Sequence, residues 1–357
     1  MITRIEIDGF KSFLDFTLDV PPFLALVGSN AGGKSNLFDA LGCLADLQTV
    51  ELDAVLAARR GRPRELFHWD SERRPVEEFT IKADVLVDSR VDGVWQRSPA
   101  FVQGIIGLNV TNQADSISLI GMEPESGWSP SSTWRWCTPE PMEMRKAAPA
   151  ADRYALRENG SNLAAVLGRM RDSQAFKDLV VDLVALVPGV TGVEPVLDER
   201  DQEWSFDVVF SGQGAIPATL VSDGTLRIIA LLAALYDPDH PGVLLIEEIE
   251  NGLHPGRIAE LLRRIARRVT DLSDPASAEE PLRQVVLTSH SPVVVGELVR
   301  ERPGSVVFLD TVTRVQPGGP TSRITRARPV RDAGEPGTYV SPREVSRYLG
   351  TVRQDAQ

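Results

Sequence analysis

Phe23-Leu-Ala-Leu-Val27 runs without a break into Gly28-Ser-Asn-Ala-Gly-Gly33-Lys34-Ser35, and this stretch decides how the chain folds. Five consecutive apolar residues suit a short strand buried on both faces of a sheet. The segment after it satisfies the pattern G-x-x-x-x-G-K-[ST] in full. Its glycines let the backbone close around phosphate oxygens and present a nest of N–H groups. Leu37, Ala40, Leu41, Leu44 and Leu47 then fall at helical spacing, so a helix over 36–47 points its N-terminus at the same anion.

On this reading Gly28, Ser29, Asn30, Ala31, Gly32, Gly33, Lys34, Ser35 and Asn36 form the nucleotide-binding segment. Lys34 reaches the β- and γ-phosphates of ATP, and the Ser35 hydroxyl ligates Mg²⁺. A second segment of the same kind is Val243-Leu-Leu-Ile246-Glu247-Glu248. Apolar residues followed by acids place the carboxylates at the C-terminal end of a buried strand, where doubly wound sheets bind ligands. Glu247 would hold Mg²⁺ through water, and Glu248 would orient and deprotonate the attacking water. A strand ending in acids is commonplace by itself; the glycine-rich loop gives this one its meaning.

Thr288-Ser-His290-Ser-Pro292 ends another strand, from which His290 could meet the γ-phosphate or the water; a core or surface histidine is the plain alternative. Ser222-Asp-Gly224-Thr225-Leu-Arg227 opens a helix. Ser222 and Gly224 there make an anion-binding helix start, or simply an N-cap and a turn.

The spacing predicts further strands over 2–7, 14–18, 79–87, 94–97, 105–110, 116–120, 204–210, 243–246, 284–288 and 305–309. Helices are expected over 162–170, 176–186, 225–236, 257–268 and 293–300. Alternating strands and helices imply an α/β fold with a doubly wound, mostly parallel sheet. Residues 54–153 add an antiparallel β region, and 122–150 are rich in Pro, Ser and Met and expected to be partly disordered. The expected divisions are 1–53 and 213–310 for the two parts of the ATPase head and 54–153 for the β-rich insertion with its flexible segment. A helical lid-like segment and strand fill 154–212, and 311–357 is a C-terminal extension.

The net charge of −12 opposes a wholly nucleic-acid-binding surface. DNA contact is confined to local patches, Arg59, Arg60, Arg62 and Arg64 or the 323–331 stretch, each equally readable as solvated charge. The tryptophans, with Trp128, Trp134 and Trp136 clustered, read as packing before base stacking. No apolar run is long enough to span a bilayer, and 1–7 alternate like a strand instead of a signal peptide. Two cysteines, Cys43 and Cys137, with no zinc spacing suit free thiols in a reducing cytoplasm.

The motif order is specific. Ile5…Phe10-Lys-Ser-Phe13, then Gly28-x4-Gly-Lys-Ser-Asn36, Ser222-Asp-Gly-Thr-Leu-Arg227, Ile246-Glu-Glu-Ile-Glu-Asn-Gly-Leu-His-Pro255 and Thr288-Ser-His-Ser-Pro292 resemble the ABC-type ATPases related to RecF, SMC proteins and the OLD family. Many of these are known only as predicted AAA-family ATP-binding proteins. The resemblance covers roughly 1–50 and 155–310. It implies a P-loop NTPase of ABC type in which Ser222 and Gly224 form the signature motif and contact the ATP of a second protomer. A homodimer would then sandwich two nucleotides, with 251–255 as the D-loop and His290 as the switch histidine. Glu247 stands where an Asp is usual and Ile249 where a Pro is frequent. Gln103 is the candidate Q-loop residue.

No sustained heptads occupy the segment between Ser35 and Ser222, unlike the coiled coil of SMC relatives. The residues after His290 lack the acidic cluster of a TOPRIM nuclease, so a nuclease or toxin effector is expected to be a separate polypeptide. The leading expectation is a slow ATP hydrolase whose nucleotide-gated dimer regulates DNA transactions or an effector, in genome maintenance or anti-phage defence. A transporter nucleotide-binding subunit and a non-catalytic ATP-gated scaffold are the alternatives.

Overall fold

The computed structural model describes residues 1–29, 31–92, 94–109, 116–124, 130–315 and 319–354. Contacts divide the chain into one unit of Met1–Trp134 with Thr270–Gln357 and another of Arg135–Val269. In chain order the first unit opens with β1 (Ile2–Asp8), β2 (Phe16–Asp19), β3 (Phe23–Val27), α1 (Lys34–Asp46) and α2 (Leu52–Ala57). It continues through β4 (Glu78–Val91), β5 (Val94–Asn109) and β6 (Ser116–Pro124) to β7 (Trp134–Cys137), which reaches across the division. The second unit holds α3 (Pro141–Met144), β8 (Ala148–Pro149), α4 (Leu163–Met170), α5 (Gln174–Leu186), β9 (Val190–Asp198), β10 (Glu203–Phe210) and β11 (Gly214–Pro217). It ends with α6 (Asp223–Tyr236), β12 (Gly242–Ile246) and α7 (Pro255–Arg268). The chain returns to the first unit for β13 (Arg283–Ser289), α8 (Pro292–Glu301), β14 (Val306–Val315), β15 (Thr321–Pro329) and α9 (Pro342–Gln354).

The first unit stacks two kinds of sheet chemistry. β3 is buried along its whole length, as its unbroken apolar run requires. It pairs in parallel with β13 on one side and β14 on the other. β15 then turns back antiparallel along β14 from Val315↔Thr321 to Val307↔Pro329. A separate antiparallel sheet runs β2-β1-β4-β5-β6. It therefore includes the two N-terminal strands. Gln284, 1% exposed, links β13 to β1: its side chain accepts from Ile2 N at 2.7 Å and donates to Ile2 O at 2.7 Å. Both hydrogen-bonding ends of a buried amide are thereby satisfied.

Two expected strands, 94–97 and 105–110, form one strand, β5. Pro99 and two glycines disguise it in sequence. Pro99 faces Leu86 in the β4 ladder, and among the described residues β6 pairs with β5 from Val102 onward. Gly104 leaves room for Leu47, whose Cδ1 would lie 2.6 Å from a Cβ there.

In the second unit α4 packs on β9 and β10. Gly168 lies flat against the Trp204 ring, which a Cβ would approach to 2.2 Å. Trp134 and Trp204 are buried, in keeping with packing; Trp128 lies outside the described residues. Within 130–150 the described residues include β7, α3 and β8, with Cys137, Met144 and Ala148 in the interior. Among the described residues no helix is long and apolar enough to cross a membrane.

Candidate functional site

β3 delivers the chain to the phosphate-loop segment at the C-terminal edge of its sheet. Gly28 has φ 144° and Gly33 φ 98°, conformations that side chains resist. A Cβ on Gly28 or Gly32 would lie 2.3 or 2.6 Å from Leu309 O, and one on Gly33 would lie 2.3 Å from Thr325 Oγ1. The glycines are thus demanded by the β14–β15 hairpin behind the loop as well as by backbone curvature. Gly32 N donates to Ser29 O at 3.1 Å, closing a turn. Ser29 and Ala31 are exposed, Gly32 and Gly33 are buried, and Asn30 lies outside the described residues.

α1 begins at Lys34 with Gly33 as its N-cap. It has no side-chain cap and no acidic residue in its first turn. That leaves the positive end of the helix to face an anion. The Lys34 ammonium, 8% exposed as a residue, donates to Gly28 O at 2.8 Å and Ser29 O at 3.0 Å. Ser35 and Asn36 are half-buried in the first turn.

β13 runs beside β3 with Ser289 opposite Val27. His290, the next residue, is exposed at the same edge from which Gly28 departs. Its carbonyl accepts from the Tyr348 hydroxyl at 3.2 Å, and Ser291 caps α8 through Val293 N at 3.3 Å. Gln103 stands inside β5 between Lys82 and Glu123 in register, in a strand and not in a loop.

The Phe10–Phe13 turn supports the loop from below. Lys11 takes φ 48°, and its ammonium meets Asp39 Oδ2 of α1 at 2.6 Å and Arg60 O at 2.8 Å. Ser12 and Thr325 are functional-site neighbours that sequence reading missed. Asn36 Nδ2 lies 3.0 Å from Ser12 Oγ, and Ser12 Oγ lies 2.7 Å from Thr325 Oγ1. The β-branched Ile324 and Thr325 were the available strand signal, hidden among arginines in the 323–331 stretch.

Two of those arginines are engaged internally. Arg326 and Arg328 meet Asp310, and Arg328 also meets Glu344 at 3.2 Å. In the other patch Arg59 pairs with Asp46, and Arg64 lies over the Trp69 ring at 4.9 Å. Arg60 is 3.9 Å from Asp39.

The second unit carries the remaining motif residues and brings them together. Ser222 caps α6, accepting from Thr225 N at 3.4 Å, and is exposed. A Cβ on Gly224 would meet Gly252 O at 2.5 Å, so α6 and the loop after β12 touch backbone to backbone. Arg227 Nη1 donates to Asn251 O at 3.2 Å, and Asn251 Nδ2 donates to Glu248 Oε2 at 2.6 Å. Glu248 sits at φ 48°, a left-handed turn closed by Asn251 N to Glu248 O at 2.8 Å. Such a conformation is costly for a non-glycine residue and is typical of functional sites.

Ile249, in the place of a frequent proline, is 2% exposed and packs inward. Glu247 and Glu248 are half-buried beyond the buried strand β12. They line a cavity of about 160 Å³ with Arg227, Asn251 and Cys137. Burial pushes the Cys137 thiol up to about 12, so it is no nucleophile there.

The donor set fits a nucleoside triphosphate: an ammonium, an uncapped helix start and a hydroxyl at Ser35. Among the described residues no group of three or more His, Cys, Asp or Glu could hold a metal ion. Mg²⁺ carried by phosphates and water needs only one or two protein oxygens, a type that the Ser35 hydroxyl at the start of α1 supplies.

Residues 149–296 match a family model described as an AAA domain, putative AbiEii toxin, Type IV TA system. Among solved structures, the SMC head bound to the C-winged helix domain of ScpA is 16% identical with a TM-score of 0.58, covering 92% of this chain and 97% of that one. An SMC head domain with an extended coiled coil, bound to the C-terminal domain of ScpA and derived from Pyrococcus furiosus, gives 14% and 0.55. One from Pyrococcus yayanosii, with a coiled coil and joint, gives 10% and 0.56. Each of these two comparisons covers 99% of both chains. A search of curated proteins finds no match. The chain has an SMC-head-like α/β fold, in keeping with the order of its motifs.

Proposed function

We propose that this chain binds ATP with Mg²⁺ at Gly28–Ser35 and hydrolyses it slowly within a head-to-tail pair of copies. The observation that carries the reading is the uncapped start of α1 behind a glycine loop, with Lys34 folded across it. Lys34 leaves the loop carbonyls to neutralise the β- and γ-phosphates. Ser35 and Glu247 would hold Mg²⁺, which offsets charge on the phosphate oxygens. Glu248 orients a water and takes its proton on a carboxylate oxygen as the γ-phosphoryl group transfers. His290 contacts the γ-phosphate, and Ser222 with Gly224 serve the nucleotide held by the other copy.

The dimer's opening and closing controls a DNA transaction or a separate nuclease or toxin protein. The toxin–antitoxin wording of the matching family model supports the effector branch. The ion-paired arginines of both basic patches give DNA less support.

Purified protein with Mg-ATP should release phosphate slowly. Glu248→Gln should keep nucleotide binding, lose turnover and accumulate as a dimer in light scattering. Turnover equal to wild type in that variant would remove Glu248 from the mechanism.

A further inference from the structure

Four groups form a closed chain of hydrogen bonds behind the loop. Gly32 O lies 3.4 Å from Thr325 Oγ1, Thr325 Oγ1 lies 2.7 Å from Ser12 Oγ, and Asn36 Nδ2 lies 3.0 Å from Ser12 Oγ. A carbonyl can only accept, so the Thr325 proton points to Gly32 O. The Thr325 oxygen then accepts from Ser12, and Ser12 accepts from the Asn36 amide. Every proton in the chain is placed by that one end.

The geometry assigns Thr325, acting with Ser12, as a positioning residue that fixes the phosphate loop for the nucleotide. This rests on the ATP reading of Gly28–Ser35 and goes beyond it, because β15 lies outside the 149–296 match. The chain ties Gly32 to Asn36 of the first helical turn, so the phosphate-facing segment is closed into a ring. The Gly32 carbonyl is drawn toward β15, and a carbonyl held there is not aimed at an anion. Thr325 also explains the uncapped helix. Its hydroxyl occupies the space of a Cβ at Gly33, which excludes a capping side chain from the N-cap position. Thr325 is 2% exposed, and its backbone N donates to Ser12 O at 2.7 Å, so the hydroxyl is held in place from its own main chain.

The energetic expectation follows from the burial. Replacing the hydroxyl by a methyl leaves Gly32 O without this donor in a buried position, a loss that corresponds to about tenfold in affinity. Thr325→Ser keeps the hydroxyl and Thr325→Val keeps the volume, which separates hydrogen bonding from packing.

The test is calorimetric binding of Mg-ATP to wild type, Thr325→Val and Thr325→Ser, with hydrogen exchange of the 28–36 amides measured without nucleotide. Thr325→Val should bind about tenfold more weakly and exchange faster, with kcat at saturation unchanged. Thr325→Ser should stay within about twofold of wild type on the same count. Wild-type affinity in Thr325→Val, or an equal loss in both variants, overturns the assignment. If wild type binds no Mg-ATP, the nucleotide reading fails instead. The exchange arm then still decides the role of the hydroxyl, since unchanged exchange in Thr325→Val overturns it alone.

Discussion

Ser289 lies opposite Val27 in the parallel pairing of β13 with β3. The residues that follow, His290 and Gly28, therefore leave the sheet side by side. Residues distant in sequence become neighbours at a strand edge because parallel strands end in register, the usual place for a ligand in such sheets.

The glycine loop should tolerate no Cβ at Gly28. Its φ of 144° and the 2.3 Å approach to Leu309 O leave backbone, not a flexible side chain, to move aside. Gly28→Ala should lower the melting temperature and weaken Mg-ATP binding by at least about tenfold. Thermal unfolding with and without Mg-ATP checks both, and an unchanged melting temperature contradicts the packing argument.

Lys11 and Asp39 form a nearly buried ion pair, 11% and 9% exposed. Removing Lys11 leaves Asp39 with Arg60 at 3.9 Å, and removing Asp39 leaves Lys11 with Arg60 O at 2.8 Å, so Lys11→Met or Asp39→Asn alone should cost about 1.5–3 kcal/mol. The combination Lys11→Met with Asp39→Leu should cost less than either single change. Urea unfolding of the three variants measures the difference.

Asp237 gives the second unit an acid-sensitive element. Burial opposes its ionised form, but the His240 hydrogen bond and the Arg169 guanidinium hold its carboxyl below the usual range. Asp239 also meets Arg169, at 3.1 Å. A depressed carboxylate stabilises the fold above its unfolded pKa of about 3.9 and loses that contribution as pH falls through the folded value. Asp237→Asn should lower stability at pH 6 and flatten its fall toward pH 3, read from urea midpoints at a series of pH values.

Both cysteines should be silent in the native protein. Burial pushes the thiols of Cys43 and Cys137 up to about 12, leaving little thiolate at pH 8. A chromogenic thiol reagent should react with neither until denaturant is added, and then with both. Fast native labelling of Cys137 would contradict the burial of the cavity wall.

Much of this was readable from residues alone. The apolar run before Gly28 gave β3, and the acids after Ile246 fell at the end of buried β12. What escaped were contacts that no local pattern encodes. β15 was hidden because Arg326 and Arg328 look like a charge patch until Asp310 and Glu344 are placed opposite them. β5 was split at Pro99 because its place opposite Leu86 of β4 is a pairing that no local pattern shows. The Asn251 grip on Glu248 needs the left-handed turn at Glu248, which a glutamate does not advertise.

The central claim is that the Gly28–Ser35 loop holds the triphosphate of ATP, and calorimetric titration of wild type and Lys34→Ala with Mg-ATP tests it most directly. Wild type should bind saturably, and loss of the ammonium should weaken binding about 10–100-fold. Equal affinity in the two proteins, or no binding to wild type, would contradict the account.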